Sequence, residues 1–407
     1  MILPRGIEPH VRKILWDYRK MAFVSGPRQV GKTTFAKRLL ARSGGGIYFN
    51  WDVASDQKKL AKDPYFYESV DRDPKQSFLV ALDEIHKYRR WKSYLKGAFD
   101  RSAQEFSFLV TGSGRLDLYS KGGDSLMGRY LGITMFPLTV GELTSSEGSF
   151  EGFRQALREP PSASAHARDA FAHLLELNGF PEPFSRAERQ FLNSWTAERT
   201  KLLVREDIRD ATSIRQLSLV EMLTHLLPEK VGSPLSIASL REDLGVAFET
   251  ARDWVAILHQ FYYSFPLLPY STSLTRALRK ASKVYLFDWS EVPEESLRLE
   301  NMIALHLQKA VMSWTAHGEG RVAVRYLRDR EKNEVDFVIT ERDRPICLVE
   351  CKLSETSPHP ALVSFQKKLK VPVTVQLIGK QGICRKLTTD AGILWVISAD
   401  RWLRSLP

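Results

Sequence analysis

The chain has little cysteine and no long apolar run, and each shortage excludes a class of protein. Cys347, Cys351 and Cys384 are its only thiols in 407 residues. They are odd in number and form no C-x-x-C pair, so neither a disulfide framework nor a zinc site is expected. No stretch approaches the roughly eighteen consecutive apolar residues of a membrane span. The opening residues, MILPRGIEPHVRKIL, are interrupted by Pro4, Pro9 and charges, and lack the apolar centre of a secretory signal. A cytoplasmic location without a membrane partner is the expectation. Acidic charge is the minority sign, 48 Asp and Glu against 59 Lys and Arg, for a net charge of +11. That excess favours an anionic partner, nucleic acid first, the alternative being a basic surface that only keeps the protein in solution. With 43% hydrophobic and 26% charged residues the composition is that of an ordinary globular chain, long enough for two to four domains.

What is present is a phosphate cradle. Gly26-Pro27-Arg28-Gln29-Val30-Gly31-Lys32-Thr33-Thr34 satisfies G-x-x-x-x-G-K-[ST], in which glycines turn backbone N–H groups toward phosphate oxygens. Lys32 would reach the β- and γ-phosphates of ATP, and the Thr33 hydroxyl would hold Mg²⁺. The flanks fit. Ala22 to Ser25 reads as a short buried strand, and Phe35/Leu39 with Ala36/Leu40 gives a helical stripe ended by Gly44-Gly45-Gly46.

Ile47 to Asn50 reads as a second strand, followed by a helical stretch from Ala54 to Ser69. The apolar run Phe78 to Leu82 then stops at Asp83-Glu84, as a buried parallel strand does at its carboxyl end. There Asp83 would hold the Mg²⁺, and Glu84 would take a proton from the water attacking the γ-phosphate. A further strand, Phe106 to Val110, runs into Thr111-Gly112-Ser113-Gly114-Arg115, so that Thr111 or Ser113 could hydrogen-bond the attacking water or the γ-phosphate. Arg129, in GDSLMGRY before a strand near Gly132, could neutralise a transferring phosphoryl group in its own site or, in a homo-oligomer, a neighbour's. A surface or structural arginine is the alternative.

With GPRQVGKT, LDEIHK, TGSGRL, GDSLMGRY and NGFPEP on the page, the chain resembles the prokaryotic AAA-type ATPases that carry a C-terminal domain named DUF4143. The resemblance spans nearly the whole chain. It implies an α/β P-loop NTPase fold with a parallel sheet, in which the Asp83 strand is separated from the cradle strand by the one ending at Thr111. His86 stands where relatives often have Gln.

The P-loop core is expected over residues 1–143. Residues 144–216 follow as a Ser/Pro/Ala-rich linker or surface insertion and helices expected to lie over the nucleotide. Residues 217–290 read as three short helices and a hairpin from Phe265 to Phe287, a winged helix-turn-helix. Its third helix offers only Arg252 to bases, whereas Arg276, Arg279, Lys280 and Lys283 in the hairpin suit DNA phosphates. Docking rather than DNA contact is the alternative. In residues 291–407, the strand Glu334 to Ile339 leads through a turn to Ile346 to Lys352, where alternation puts Glu350 and Lys352 on one face. This resembles a PD-(D/E)xK restriction-endonuclease-like core. Asp336 and Glu350 would bind Mg²⁺, Lys352 would act on the attacking water, and Glu300 could supply another acidic ligand. Val335 stands where the motif has its proline.

Three functions follow. The first is an ATPase that binds or remodels DNA and cuts it through the C-terminal domain. The second is a nucleotide-controlled adaptor whose C-terminal domain is inactive and docks a partner. The third, an ATPase acting on a protein client, ranks last because no aromatic pore loop is evident.

Overall fold

A computed structural model describes residues 3–73, 77–114, 126–271 and 281–407. The chain divides into two compact units, Arg5–Phe136 and, with the first residues, Pro137–Pro407.

The unit Arg5–Phe136 is a parallel sheet with helices in its crossovers. In chain order it contains β1 (Met21–Ser25), α1 (Lys32–Ala41), β2 (Gly46–Asn50), α2 (Ala54–Lys62), β3 (Phe78–Asp83), α3 (Trp91–Ser102), β4 (Phe106–Gly112) and β5 (Tyr130–Thr134). The spatial order is β2-β3-β4-β1-β5, every pair parallel, so β4 lies between the cradle strand and the Asp83 strand as the resemblance implied. Strand β3 is buried at all six positions, which is why it reads as an unbroken apolar run. On one face, Phe23, Phe49, Val80, Leu82 and Phe108 pack with Trp91, Leu95 and Ala98 of α3. Helix α2 is shorter than the expected 54–69. It stops at Lys62 because Pro64 drives Asp63 into an extended conformation, φ −141° and ψ 102°.

In the unit Pro137–Pro407, α4 (Phe150–Arg158), α5 (Ala165–Glu176) and α6 (Arg189–Leu202) come first. Helix α4 corrects the reading of its surroundings as linker or surface insertion. Ser149 caps it by accepting from the Gly152 N–H, and the buried Phe153 lies 4.9 Å from the Trp314 ring and 5.7 Å from that of Trp402. Helices α7 (Leu217–Leu226), α8 (Ile237–Leu244) and α9 (Phe248–Gln260) precede an antiparallel ribbon of β6 (Ser264–Leu267) and β7 (Lys283–Leu286). The ribbon's flanks are occupied. Leu235 donates to the Ser282 carbonyl, and Asn301 both accepts from the Leu286 N–H and donates to its carbonyl, at 2.8 Å each. Just past β6, Tyr270 and Leu268 bond to Tyr326.

After α10 (Glu295–Ala316) comes a mixed sheet of β8 (Val322–Arg328), β9 (Glu334–Glu341), β10 (Arg344–Lys352), β11 (Val373–Ile378), β12 (Cys384–Thr389) and β13 (Gly392–Ser398). Its order is β12-β13-β11-β10-β9-β8, with α11 (Pro360–Leu369) crossing between the parallel strands β10 and β11. Among the described residues no helix is long and apolar enough to cross a membrane.

Candidate functional site

The cradle is built where β1 turns into α1. Its backbone needs conformations in which side chains are strained, φ 154° at Gly26, 63° at Gln29 and 100° at Gly31. A Cβ on Gly26 would also lie 2.3 Å from the Met135 carbonyl oxygen, so glycine is required there twice over. Helix α1 starts with no side-chain cap, which leaves its first N–H groups and positive dipole end directed at the loop. Lys32 is buried at the loop's base and donates to the carbonyls of Gly26 and Pro27 at 2.9 and 2.7 Å.

Asp83 gathers three hydroxyls. Thr33 donates to its Oδ2 at 2.6 Å, Tyr48 to the same oxygen at 2.7 Å, and Thr111 to Oδ1 at 2.5 Å. A Thr33 hydroxyl that donates to Asp83 keeps its lone pairs for a hard cation, and the carboxylate stands beside it. These donors fit Mg²⁺. Thr111 therefore spends its proton on Asp83, and of the two hydroxyls expected near the attacking water it is Ser113 that accompanies Glu84, at 3.3 and 3.4 Å. Glu84 departs from the strand at φ 55°, which turns its side chain away from Asp83 and separates the two adjacent acids. His86 Nε2 lies 3.6 Å and Lys87 Nζ 3.5 Å from Glu84 Oε2. Burial pushes the His86 pKa down, against the pull of Glu84, so the ring meets Glu84 as a neutral imidazole. Burial, reinforced by Asp83, likewise pushes the Tyr48 phenol up and keeps it a donor.

Tyr48 and Lys87 were not singled out from the sequence. Tyr48 precedes by two residues Asn50, the register partner of Asp83 on β2, and that register is set only by the pairing of the strands. Arg129 needs a correction. Met21, at the amino end of β1, pairs with Tyr130, whereas the cradle leaves the carboxyl end at Ser25, so about 13 Å of strand separates Arg129 from the loop. Its guanidinium is bound to Asp100 of α3 at 2.6 and 2.9 Å. The reading that it serves the phosphates of its own chain fails on that geometry. Arg115 lies outside the described residues.

The second cluster forms in the other unit. The pairing of Val349 with Phe337 and Leu348 with Val338 carries Glu350 opposite Asp336. The Asp336 N–H faces Glu350 Oε2 at 3.4 Å, and its carboxylate accepts from the Cys351 N–H at 2.8 Å. Lys352 donates to Glu350 Oε1 at 2.7 Å. Glu300, from α10, accepts from the Tyr285 hydroxyl at 2.6 Å and pairs with Lys283 at 3.4 Å. Burial, then the charge of Asp336, raises Glu350 to about 8 and Glu300 to about 7. Burial acts downward on Lys283, but Glu300, Asp336 and Glu334 outweigh it and hold its pKa above the ordinary lysine value.

The sequence thus locates Glu300, Asp336, Glu350 and Lys352 together and misses Lys283. Expected on the surface of a DNA-contacting wing, Lys283 is 1% exposed, with Glu334 at 2.5 Å on its other side. Arg276, Arg279 and Lys280 lie outside the described residues. Arg252 is exposed but paired with Glu249 and Asp253. Among the described residues, no group of three His, Cys, Asp or Glu side chains is arranged to hold a metal ion. With Glu300 tied to Tyr285 and Lys283, the expected set of Asp336, Glu350 and Glu300 does not fit one.

Residues 18–144 match the AAA domain family, residues 168–291 a domain of unknown function (DUF8612), and residues 298–392 another (DUF4143). Uncharacterized proteins of Mycobacterium bovis and Mycobacterium tuberculosis are each 27% identical over 359 residues, which is 85% of this chain and 74% of theirs. Among solved structures, the Aeropyrum pernix ORC1 protein in complex with DNA is 16% identical with a TM-score of 0.31, covering 70% of this chain and 88% of that one. The S. cerevisiae Hsp104-ADP complex is 12% identical with a TM-score of 0.32, covering 78% of this chain and 45% of that one. The cradle, the order of the sheet and the family match agree on an AAA-type P-loop domain over residues 18–144, and the C-terminal part carries a DUF4143 region over residues 298–392.

Proposed function

We propose that this protein binds ATP with Mg²⁺ and hydrolyses it. The observation that carries the reading is the division of labour at the end of β3, where Asp83 is bound to Thr33 while Glu84 is turned toward Ser113. Bound at Thr33 and Asp83, Mg²⁺ would neutralise charge on the β- and γ-phosphates. Lys32 and the α1 N-terminus meet the same phosphates from the loop. Thr111 and Tyr48 hold the Asp83 carboxylate in one orientation. Glu84, free of that duty, accepts the proton of the attacking water, and Ser113 orients its carboxylate. Phosphate release with Mg²⁺ tests the reading: the wild type should turn over ATP, and Glu84→Gln should bind ATP yet release no phosphate above background. A Glu84→Gln variant as active as the wild type would overturn the assignment.

The net positive charge supports nucleic acid as the anionic partner. A second reading, phosphodiester cleavage by the C-terminal domain, is favoured by one observation: α10, β9 and β10 deliver Glu300, Asp336, Glu350 and Lys352 to one place. Those side chains do not fit a metal as arranged. The alternative, an inactive nuclease-like domain that docks a partner, agrees better with acids already neutralised by Lys283 and Lys352. Incubation of linear, circular and single-stranded DNA with Mg²⁺ or Mn²⁺ decides between them. Cleavage lost in Lys352→Ala would establish the nuclease, and intact DNA in every case would leave the docking role.

A further inference from the structure

Three residues after Glu84 the chain reads Lys87-Tyr88-Arg89-Arg90-Trp91-Lys92, a run of cations interleaved with aromatic residues. The carboxyl end of β3 places it. Trp51 donates its N–H to the Asp83 carbonyl, which brings the residue after β2 to the same end of the sheet, and its ring stacks on Tyr88 at 5.0 Å and 29°. Both rings are only half-buried, and Lys87, Arg89 and Arg90 are exposed. Lys87 is divided between two acids. Its ammonium lies 2.7 and 2.8 Å from the two Asp52 oxygens and 3.5 Å from Glu84 Oε2. A stacked, half-buried aromatic pair bordered by exposed arginines forms a surface that suits unpaired bases and their phosphates. A cation that reaches Glu84 is a direct physical link from such a surface to the proposed chemistry.

We propose that the turn at 87–92, with Trp51, is a contact surface for single-stranded nucleic acid, and that a phosphate engaging Lys87 releases Glu84 to act as base. The proposal rests on the ATPase reading. The Lys87 ammonium, hydrogen-bonded to Asp52 and 3.5 Å from Glu84, draws on the Glu84 charge; when a phosphodiester takes that ammonium from both acids, the Glu84 carboxylate turns to the water. ATP hydrolysis is then slow without the strand and faster once its bases and phosphates together seat it on this surface. Lys283, buried in the β6–β7 ribbon, is not available to such a strand.

The test uses the full-length protein, oligo(dT) as an unstructured single strand, and polyglutamate as a polyanion without bases. Oligo(dT) affinity is read by fluorescence anisotropy over a salt series, and ATP turnover by phosphate release with and without each polymer. Oligo(dT) should stimulate the wild type several-fold and polyglutamate should not. In Arg89→Glu/Arg90→Glu the ratio of stimulated to unstimulated rate should fall to one, with affinity for a fluorescent ATP analogue retained as proof of folding. The binding salt slope should fall by about 1.4, two phosphates at about 0.7 each for a single strand. Lys87→Met should turn over ATP at the stimulated rate with no polymer added. The proposal is overturned if oligo(dT) neither binds nor stimulates, if polyglutamate stimulates equally, if the double variant keeps the wild-type ratio, or if Lys87→Met behaves as wild type. Loss of the ATPase reading is seen separately, as a wild type that releases no phosphate while the anisotropy arm still reports the surface.

Discussion

Arg129 grips Asp100 through two hydrogen bonds, 2.6 and 2.9 Å, at the end of the sheet away from the cradle. A guanidinium so placed can touch phosphate only in a neighbouring subunit. Arg129→Ala should therefore leave ATP affinity unchanged, as read by isothermal calorimetry, because no part of its own nucleotide site is altered. If turnover also stays constant while protein concentration is varied, Arg129 has no role in a neighbour's site either.

Lys32 meets phosphate charge before reaction, whereas Glu84 matters only as water attacks. Lys32→Ala should thus lose most ATP affinity, and Glu84→Gln should retain it. Calorimetry with the non-turnover variant gives the comparison directly, and equal affinities in the two would show that the phosphates are not at the loop.

Lys283 holds Glu300 and Glu334 from inside the fold. Its replacement by Met leaves buried carboxylates without their cation, a change that costs about 3–5 kcal/mol in comparable sites. Urea unfolding should show that loss in Lys283→Met, and a smaller one in Lys283→Met/Glu300→Gln, where one of the stranded charges is gone. Had Lys283 been a surface residue of a wing, its replacement would have changed stability little.

His306 predicts a pH dependence. It is fully buried, and since the Val140 N–H at 3.1 Å can only donate, Nε2 is the acceptor and Nδ1 carries the proton given to the Met302 carbonyl at 2.7 Å. Burial, with Lys309 nearby, lowers its pKa to about 3. The unfolded chain, with histidine near 6.5, therefore binds the proton first, and stability falls as pH drops from about 6.5 toward 3, by up to ~1.4 kcal/mol per unit. Glu291, raised by burial to about 8, acts in the opposite sense between about 4.5 and 8. The difference between wild type and His306→Gln isolates the histidine: the gap in urea midpoint should be widest at pH 7 and narrow toward pH 5. A gap independent of pH would mean that the ring is not held neutral.

Much of the nucleotide site was legible because its chemistry is local in sequence. Gly26 to Thr34 contains its own strand, turn and helix start, and the apolar run before Asp83 announces a buried strand end without reference to anything distant. Glu350 and Lys352 share a face by alternation alone. The misses are all matters of register or burial. Arg129 precedes a strand, and only the pairing of Tyr130 with Met21 tells which end of the sheet that is. Lys283 looks like an exposed wing cation because its two acids arrive from α10 and β9, 17 and 51 residues later. Tyr48 reaches Asp83 across a strand pair whose offset no local pattern encodes. The stretch around α4 is poor in apolar residues, and the few it has, Phe150, Phe153 and Leu157, count only once Trp314 and Trp402 stand against them.

The grip of Asn301 on Leu286 has a consequence for how the protein behaves in a crowded solution. A two-stranded ribbon normally offers unpaired amides to any passing strand, and such edges seed association between chains. Here a side-chain amide imitates the missing neighbour, satisfying both backbone groups of Leu286 at once. Asn301→Leu would preserve the bulk but leave the buried N–H and C=O of Leu286 without partners, so the expected first symptom is a lower urea midpoint, with association on concentration following as that segment opens.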